Sequence, residues 1–318
     1  MSVDNKKSII SNPFIFIGII ALIASLILSF VSESTKERVK SNKKLDIMKN
    51  VLLCRYLEDY EKYQEKLSNP ENIEKEYNKA IEQVLYYEDG TLVSEELDFA
   101  KLEWKENKSD GSMYFFFKSD PDVKYLPLFR VKDDNGYIVP VSGKGLWSTL
   151  KGFLYVSKDL KQIKGISFYS HTETPGLGGE IDKSEVKRRY VDKSIDFSEP
   201  FKDCGLDRDC NMIDVDGTQD NGIYDWSDLN DNGELDDKEG EEFTDDNGNG
   251  IWDEISEEIR VPKMVKTPQE GNNFELQYMS GATITSDGLN YFIKRDLDKY
   301  KYILLCESDS TKCKGARK

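Results

Sequence analysis

The chain has 318 residues, 38% hydrophobic and 33% charged, enough for one sizeable domain or two small ones. Its net charge of −16 is local: residues 203–254 hold 19 Asp or Glu against Arg208 and Lys238, leaving 42 basic and 41 acidic residues elsewhere. Whole-chain charge therefore says nothing about partners, and without a basic patch interleaved with aromatics a nucleic-acid-binding role finds no support.

In chain order, residues 14–31 form an unbroken uncharged run, Phe14 to Val31. As a helix it reaches roughly 27 Å, close to the hydrocarbon thickness of a bilayer. The run exceeds the apolar part of a usual signal peptide and no A-x-A site follows it, so residues 1–33 are expected to form a short tip and a retained transmembrane helix. Only Lys6 and Lys7 precede the run, whereas Lys36, Arg38, Lys40, Lys43 and Lys44 follow it. Counted naively, that asymmetry keeps the following domain in the cytoplasm, but the rule is weak for long domains.

Residues 34–112 read as a helical linker and the start of a soluble domain. Ile47, Val51, Leu52 and Tyr56 share one helical face, read as a solvated amphipathic linker. Asn69-Pro70 breaks it, and a helical pattern resumes over 73–87 with Ile73, Tyr77, Ile81, Val84 and Leu85. Residues 113–202 turn to strands: 113–118, 126–131, 136–141, 152–156 and 163–170, with glycine-containing turns between. A helix start with a charged face follows over 180–191. Residues 257–318 resume the domain with a strand at 274–279 and a helix at 289–300. Residues 302–305 continue that helix or form a last strand.

The acidic insert, residues 203–256, carries a repeated pattern. Asp228, Asn230, Asn232, Glu234, Asp236 and Glu239 occupy ligand positions of a twelve-residue calcium loop, with Gly233 at the sharp turn. Asp245, Asn247, Asn249 and Asp253 repeat it, but the twelfth position is Ser256; residues 214–225 are a weaker third copy. Without evident flanking helices, the insert resembles the tandem acidic repeats of secreted bacterial proteins, and Ca2+ is the expected ion. The other reading is a disordered acidic loop. Cys54, Cys204, Cys210, Cys306 and Cys313 show no C-x-x-C spacing; Cys204/Cys210 and Cys306/Cys313 are each able to close a short loop in an oxidising compartment, leaving Cys54.

Ser280-Gly281-Ala282-Thr283-Ile284-Thr285 sits between a strand pattern and a helix pattern. Small residues there let the backbone approach a bound group, and a helix start favours an anion beside the hydroxyls of Thr283, Thr285 and Ser286. An ordinary capped turn is the bland alternative. Upstream, Pro175 and Gly176 make a tight loop able to present Thr174 and backbone amides to a ring that Leu177 covers. His171 is the only histidine, with a structural role expected. Trp147 reads equally as core.

Ser280 to Thr285 resembles the flavinylation motif of FMN-binding domains in bacterial redox pumps. Residues 171–181, His-Thr-Glu-Thr-Pro-Gly-Leu-Gly-Gly-Glu-Ile, and 143–148, Gly-Lys-Gly-Leu-Trp-Ser, are similar to segments of NqrC, a flavoprotein of the Na+-translocating NADH:quinone oxidoreductase. The resemblance covers roughly residues 1–31 and 113–302, without the insert. It implies an α+β fold, a mostly antiparallel sheet flanked by helices on one N-terminal transmembrane helix. It implies FMN joined through a phosphoester to Thr285, with Ser280, Gly281, Ala282, Thr283, Glu173, Thr174, Gly176, Leu177, Gly178 and Trp147 around the flavin; Glu173 serves the flavin or its own loop. No residue is expected to act as a catalytic acid or base in electron transfer.

The implied function is a one-electron relay on the way to a quinone such as ubiquinone, in a protein inactive without its complex. The implied partners are the other subunits of the sodium pump and a flavin transferase. The implied location is a single-pass inner-membrane protein with its soluble domain on the periplasmic side. Three alternatives stand beside it: the homologous flavoprotein subunit of the ion-translocating ferredoxin:NAD+ oxidoreductase, a membrane-anchored calcium-binding adhesion or scaffold protein, and an ordinary anchored protein whose Ser-Gly-Ala-Thr match is accidental.

Overall fold

A computed structural model describes residues 13–57, 60–93, 101–197 and 259–309. The insert, with its calcium-type residues 228–239 and 245–253, lies outside the described residues, as do Cys204, Cys210 and Cys313. By internal contacts the chain divides into residues 1–48 and 49–318. The first unit is most of one helix, α1 (Pro13–Arg55), whose apolar stretch is exposed along its whole length and is long and apolar enough to cross a membrane.

The second unit is built on an antiparallel sheet of seven strands: β1 (Ile81–Tyr87), β2 (Leu102–Glu106), β3 (Met113–Phe117), β4 (Asp120–Val131), β5 (Tyr137–Lys144), β6 (Thr149–Val156) and β7 (Ile163–Ser170). The strands run β2-β3-β4-β5-β6-β7, and β1 lies along the other side of β4. Short helices α2 (Tyr60–Lys66) and α3 (Pro70–Ala80) precede it. Asn69 caps α3, its side chain accepting from the Glu71 N–H at 3.0 Å with Pro70 opening the helix.

Two expectations need correction. The apolar spacing predicts a helix over 73–87, but α3 stops at Ala80 and 81–87 pairs with 131–125 as β1. Ile81, Val84 and Leu85 fit both periodicities, and pairing with β4 decides between them. The solvated linker helix also fails at its C-terminal end. From Lys49 onward α1 belongs to the second unit, where Val51, Leu52 and Cys54 are fully buried. There the Cys54 thiol donates to the Phe153 carbonyl at 3.3 Å and Ser167 Oγ donates to the Asn50 carbonyl at 2.9 Å.

The opposite face of the sheet is covered by α5 (Thr283–Ser308), after a short α4 (Ser184–Arg188) beyond β7. Leu289, Phe292, Ile293, Leu297, Tyr300 and Leu304 recur every three or four residues and pack against Val139, Val141, Leu154 and Ile166 in one core. Covered on both sides, β5 is buried along almost its whole length. Asp296 lies in the same buried stripe, accepting from the Ser142 N–H at 2.7 Å, Arg295 Nε at 2.8 Å and Lys299 Nζ at 2.9 Å, so its charge is paired. A small parallel pair, β8 (Lys263–Val265) and β9 (Glu275–Gln277), leads into α5.

Two glycines set how closely α5 meets β5. A Cβ on Gly143 would sit 2.4 Å from Phe292 Cβ, and one on Gly288 would sit 2.2 Å from the Lys144 carbonyl oxygen. Only bare backbone on each side lets the first turns of α5 rest on the end of β5.

Candidate functional site

Three segments meet where α5 begins. The first is the turn between β5 and β6, Gly145 to Ser148, closed by a Gly145 N–H to Ser148 carbonyl bond of 2.8 Å. The second follows β7. There the Leu177 N–H reaches the Thr174 carbonyl at 3.1 Å across Pro175-Gly176, and Gly176 has φ +78°. The third repeats that geometry across Ser280-Gly281, with the Ala282 N–H on the Met279 carbonyl at 3.1 Å and Gly281 at φ +70°. Both match type II turns, whose third position demands a positive φ. Gly176 and Ser280 therefore shape the margins of the site and do not line it.

Glu173 ties the segments together. Its buried carboxylate accepts the N–H groups of Leu146 at 3.2 Å, Trp147 at 2.9 Å and Ser148 at 3.1 Å, and the Ser148 hydroxyl at 3.3 Å. From α5, Thr285 Oγ1 donates to Glu173 Oε2 at 2.7 Å. Burial pushes this carboxyl up, but the Trp147 amide, the Thr285 hydroxyl and the Ser148 and Leu146 amides outweigh it and hold Glu173 below the usual carboxylate range. Gly145 and Gly178 leave the necessary room, since a Cβ on either would come within 2.7 Å of the carboxylate. The role expected for Glu173 is to serve the flavin or its own loop; the segment its carboxylate holds is instead the neighbouring β5–β6 turn, together with Thr285.

His171 fastens the start of the same loop. Its Nδ1 accepts the Glu173 N–H at 3.2 Å and its Nε2 meets Asp182 Oδ2 at 2.8 Å. The hydrogen bond to Asp182 raises the imidazole above its ordinary value. Ser286, grouped with the other hydroxyls by sequence, is fully buried and turns back to accept the Met279 N–H at 3.4 Å.

Between the segments lies a cavity of about 250 Å³. Trp147, Glu173, Thr174, Leu177, Gly178, Gly281, Ala282, Thr283 and Thr285 line it, together with Leu146 and Ile284, which were not among the residues expected around a flavin. Both lie inside the matching motifs, so the motif boundaries were the signal that could have found them. Thr285 is 1% exposed, whereas Trp147 is 70% and Ile284 57% exposed, with Leu146 and Leu177 also open. A polar floor under an apolar collar is the result, and Trp147 is not core. Among the described residues no cluster of three or more His, Cys, Asp or Glu is placed to hold a metal.

The residues fit a phosphorylated heteroaromatic group. The start of a helix favours its anion, and the exposed apolar side chains suit a ring. Thr285 adds one buried hydroxyl.

Comparison with known proteins points the same way. A family model described as the FMN-binding domain matches residues 145–298, from the first turn of the site to the body of α5. The NqrC of the Na+-translocating NADH-quinone reductase of Haemophilus ducreyi is 29% identical over 207 residues, covering 61% of this chain and 76% of that protein. Its Pseudomonas aeruginosa counterpart is 45% identical over 75 residues, 23% of this chain and 29% of the relative. In fold, the crystal structure of the corresponding Parabacteroides distasonis protein superposes with a TM-score of 0.50 at 20% identity, covering 85% of this chain and 96% of that one.

Proposed function

We propose that this chain, a relative of the NqrC proteins of Na+-translocating NADH-quinone reductases with the FMN-binding domain of that family, carries FMN as the flavoprotein subunit of such a membrane complex. The observation that carries the reading is the position of Thr285. Its hydroxyl forms the floor of a cavity lined by the two upstream NqrC-like segments and by the segment that opens a long helix, at whose first turn it stands. The attachment is a phosphoester between Thr285 Oγ1 and the FMN phosphate. Thr283 and the opening turn of α5 face the phosphate, and Trp147, Leu177 and Ile284 border the ring. Bound FMN supplies the electron-transfer chemistry on the way to a quinone such as ubiquinone, while this chain holds and orients it.

The apolar part of α1 serves as a single membrane anchor, with the second unit on the periplasmic side, where a separate flavin transferase and the neighbouring subunits meet it. The acidic insert takes up Ca2+ through residues 228–239 and 245–253, supported by ligand-type residues and glycines at the required spacing.

The test is intact and peptide mass of the chain purified from its own membranes. The expected result is one FMN less one water on the peptide holding Thr285. Thr285→Ala should abolish covalent flavin while thermal unfolding shifts by only about 1–2 kcal/mol, the loss of one hydrogen bond to a carboxylate. An unmodified native chain, or flavin retained by the variant, overturns the assignment.

A further inference from the structure

Forming an ester at Thr285 requires its hydroxyl to lose a proton, and the hydroxyl hydrogen is directed at one group, Glu173 Oε2, 2.7 Å away. We propose that Glu173 accepts the Thr285 proton during flavin attachment, so that this chain supplies the base for its own modification. The inference rests on the attachment reading above.

The geometry carries it in three ways. With its hydrogen committed to Glu173, Oγ1 keeps its lone pairs for the cavity, where an incoming phosphorus must lie. The carboxylate is itself fixed by three backbone N–H groups and the Ser148 hydroxyl, so it cannot swing away from Thr285. Those donors keep it ionised despite burial, the state a proton acceptor needs. On its own loop the titratable neighbour is His171, paired with Asp182 and accepting the Glu173 N–H; from the β5–β6 turn only amides and the Ser148 hydroxyl face the carboxylate, and from α5 only Thr285.

The step balances without a redox change. Thr285 Oγ1 forms a bond to the flavin-side phosphorus of a flavin dinucleotide, the anhydride P–O bond breaks, and the nucleoside monophosphate leaves with the electron pair. The hydroxyl proton passes to Glu173 Oε2 late, as the new O–P bond acidifies the alcohol, and then to water. Once esterified, Oγ1 has no hydrogen to donate, and Glu173 Oε2 keeps the Leu146 amide.

The experiment uses the full chain with a flavin transferase and the flavin dinucleotide, following covalent flavin by fluorescence on denaturing gels and by peptide mass. Glu173→Gln should lower kcat for attachment roughly 10²-fold, leave KM for the chain within about two-fold, and remove the acid limb of the rate–pH profile. A wild-type kcat, a loss appearing only as raised KM, or an unchanged acid limb overturns the proposal. Should the Gln variant fail to fold, Glu173→Asp carries the test. Its carboxylate, one methylene short, should retain the acid limb with kcat down roughly ten-fold, and a wild-type kcat would overturn the idea. Failure of the underlying reading looks different: the wild-type chain itself would take no flavin at Thr285.

Discussion

Glu173 couples its own ionisation to the shape of the turn it holds. Its carboxyl is held below the range of an exposed glutamate, about 4.3 in the unfolded chain. The sign follows from linkage: the stabilisation is complete above the unfolded value and is lost as pH falls through the folded one. At neutral pH Glu173→Gln should therefore cost about 1–3 kcal/mol, because an amide cannot accept from all the donors assembled there. The two proteins should converge only as pH falls through the folded value, below that of an exposed glutamate. Urea unfolding at a series of pH values measures the gap, and a constant gap would show that the charge is not what the turn recognises. None of this could be read from residue types, because the donors are mostly backbone amides, which leave no mark in a sequence. The motif told which side chains belong together and was silent on what joins them.

Among elements, the contact of α5 with the end of β5 decides where Thr285 stands. Gly288→Ala places a methyl group against the Lys144 carbonyl, and the first turn of α5 has to move to admit it. The expected cost is about 1–3 kcal/mol. Covalent flavin uptake should fall more steeply than stability does, and comparing bound flavin per folded chain with the unfolding midpoint separates the two. The strands of residues 113–170 are legible in the sequence because β-branched and aromatic runs alternate with glycine turns. The strand at 81–87 is not, because it follows α3 directly with apolar spacing that suits either structure, and its partner begins at Tyr125 and ends at Val131, well beyond β2 and β3 in sequence. The buried end of α1 escapes for a related reason. Its apolar stripe is visible, but the close approach that receives it is made by Gly165, where a Cβ would sit 1.9 Å from the Cys54 carbonyl oxygen.

For the molecule as a whole, the acidity resides in one insert and the rest is nearly neutral. If the insert binds calcium through its repeated loops, ion binding and folding are linked, and saturation at a hundredfold over Kd adds about 2.7 kcal/mol to whatever unit binds it. Calorimetric titration of the intact chain should show calcium uptake that Asp228→Ala together with Glu239→Ala reduces. Chelation should leave attached flavin in place, since the carrier hydroxyl and its walls belong to described segments outside the insert. An unchanged titration in the double variant would leave the acidic stretch a solvated loop. The long apolar stretch of α1, by contrast, is plain from composition alone, since length and lack of charge are what mark a helix able to cross a membrane.

The cavity is assembled from both sides of that insert: two of its three segments precede it, and the third, which brings the threonine, follows it. A ribosome has therefore finished the first two segments before Thr285 exists. On the proposed attachment, pigmentation is a stamp of completed folding: only a chain whose early and late parts have found each other offers a place for the dye to be fixed.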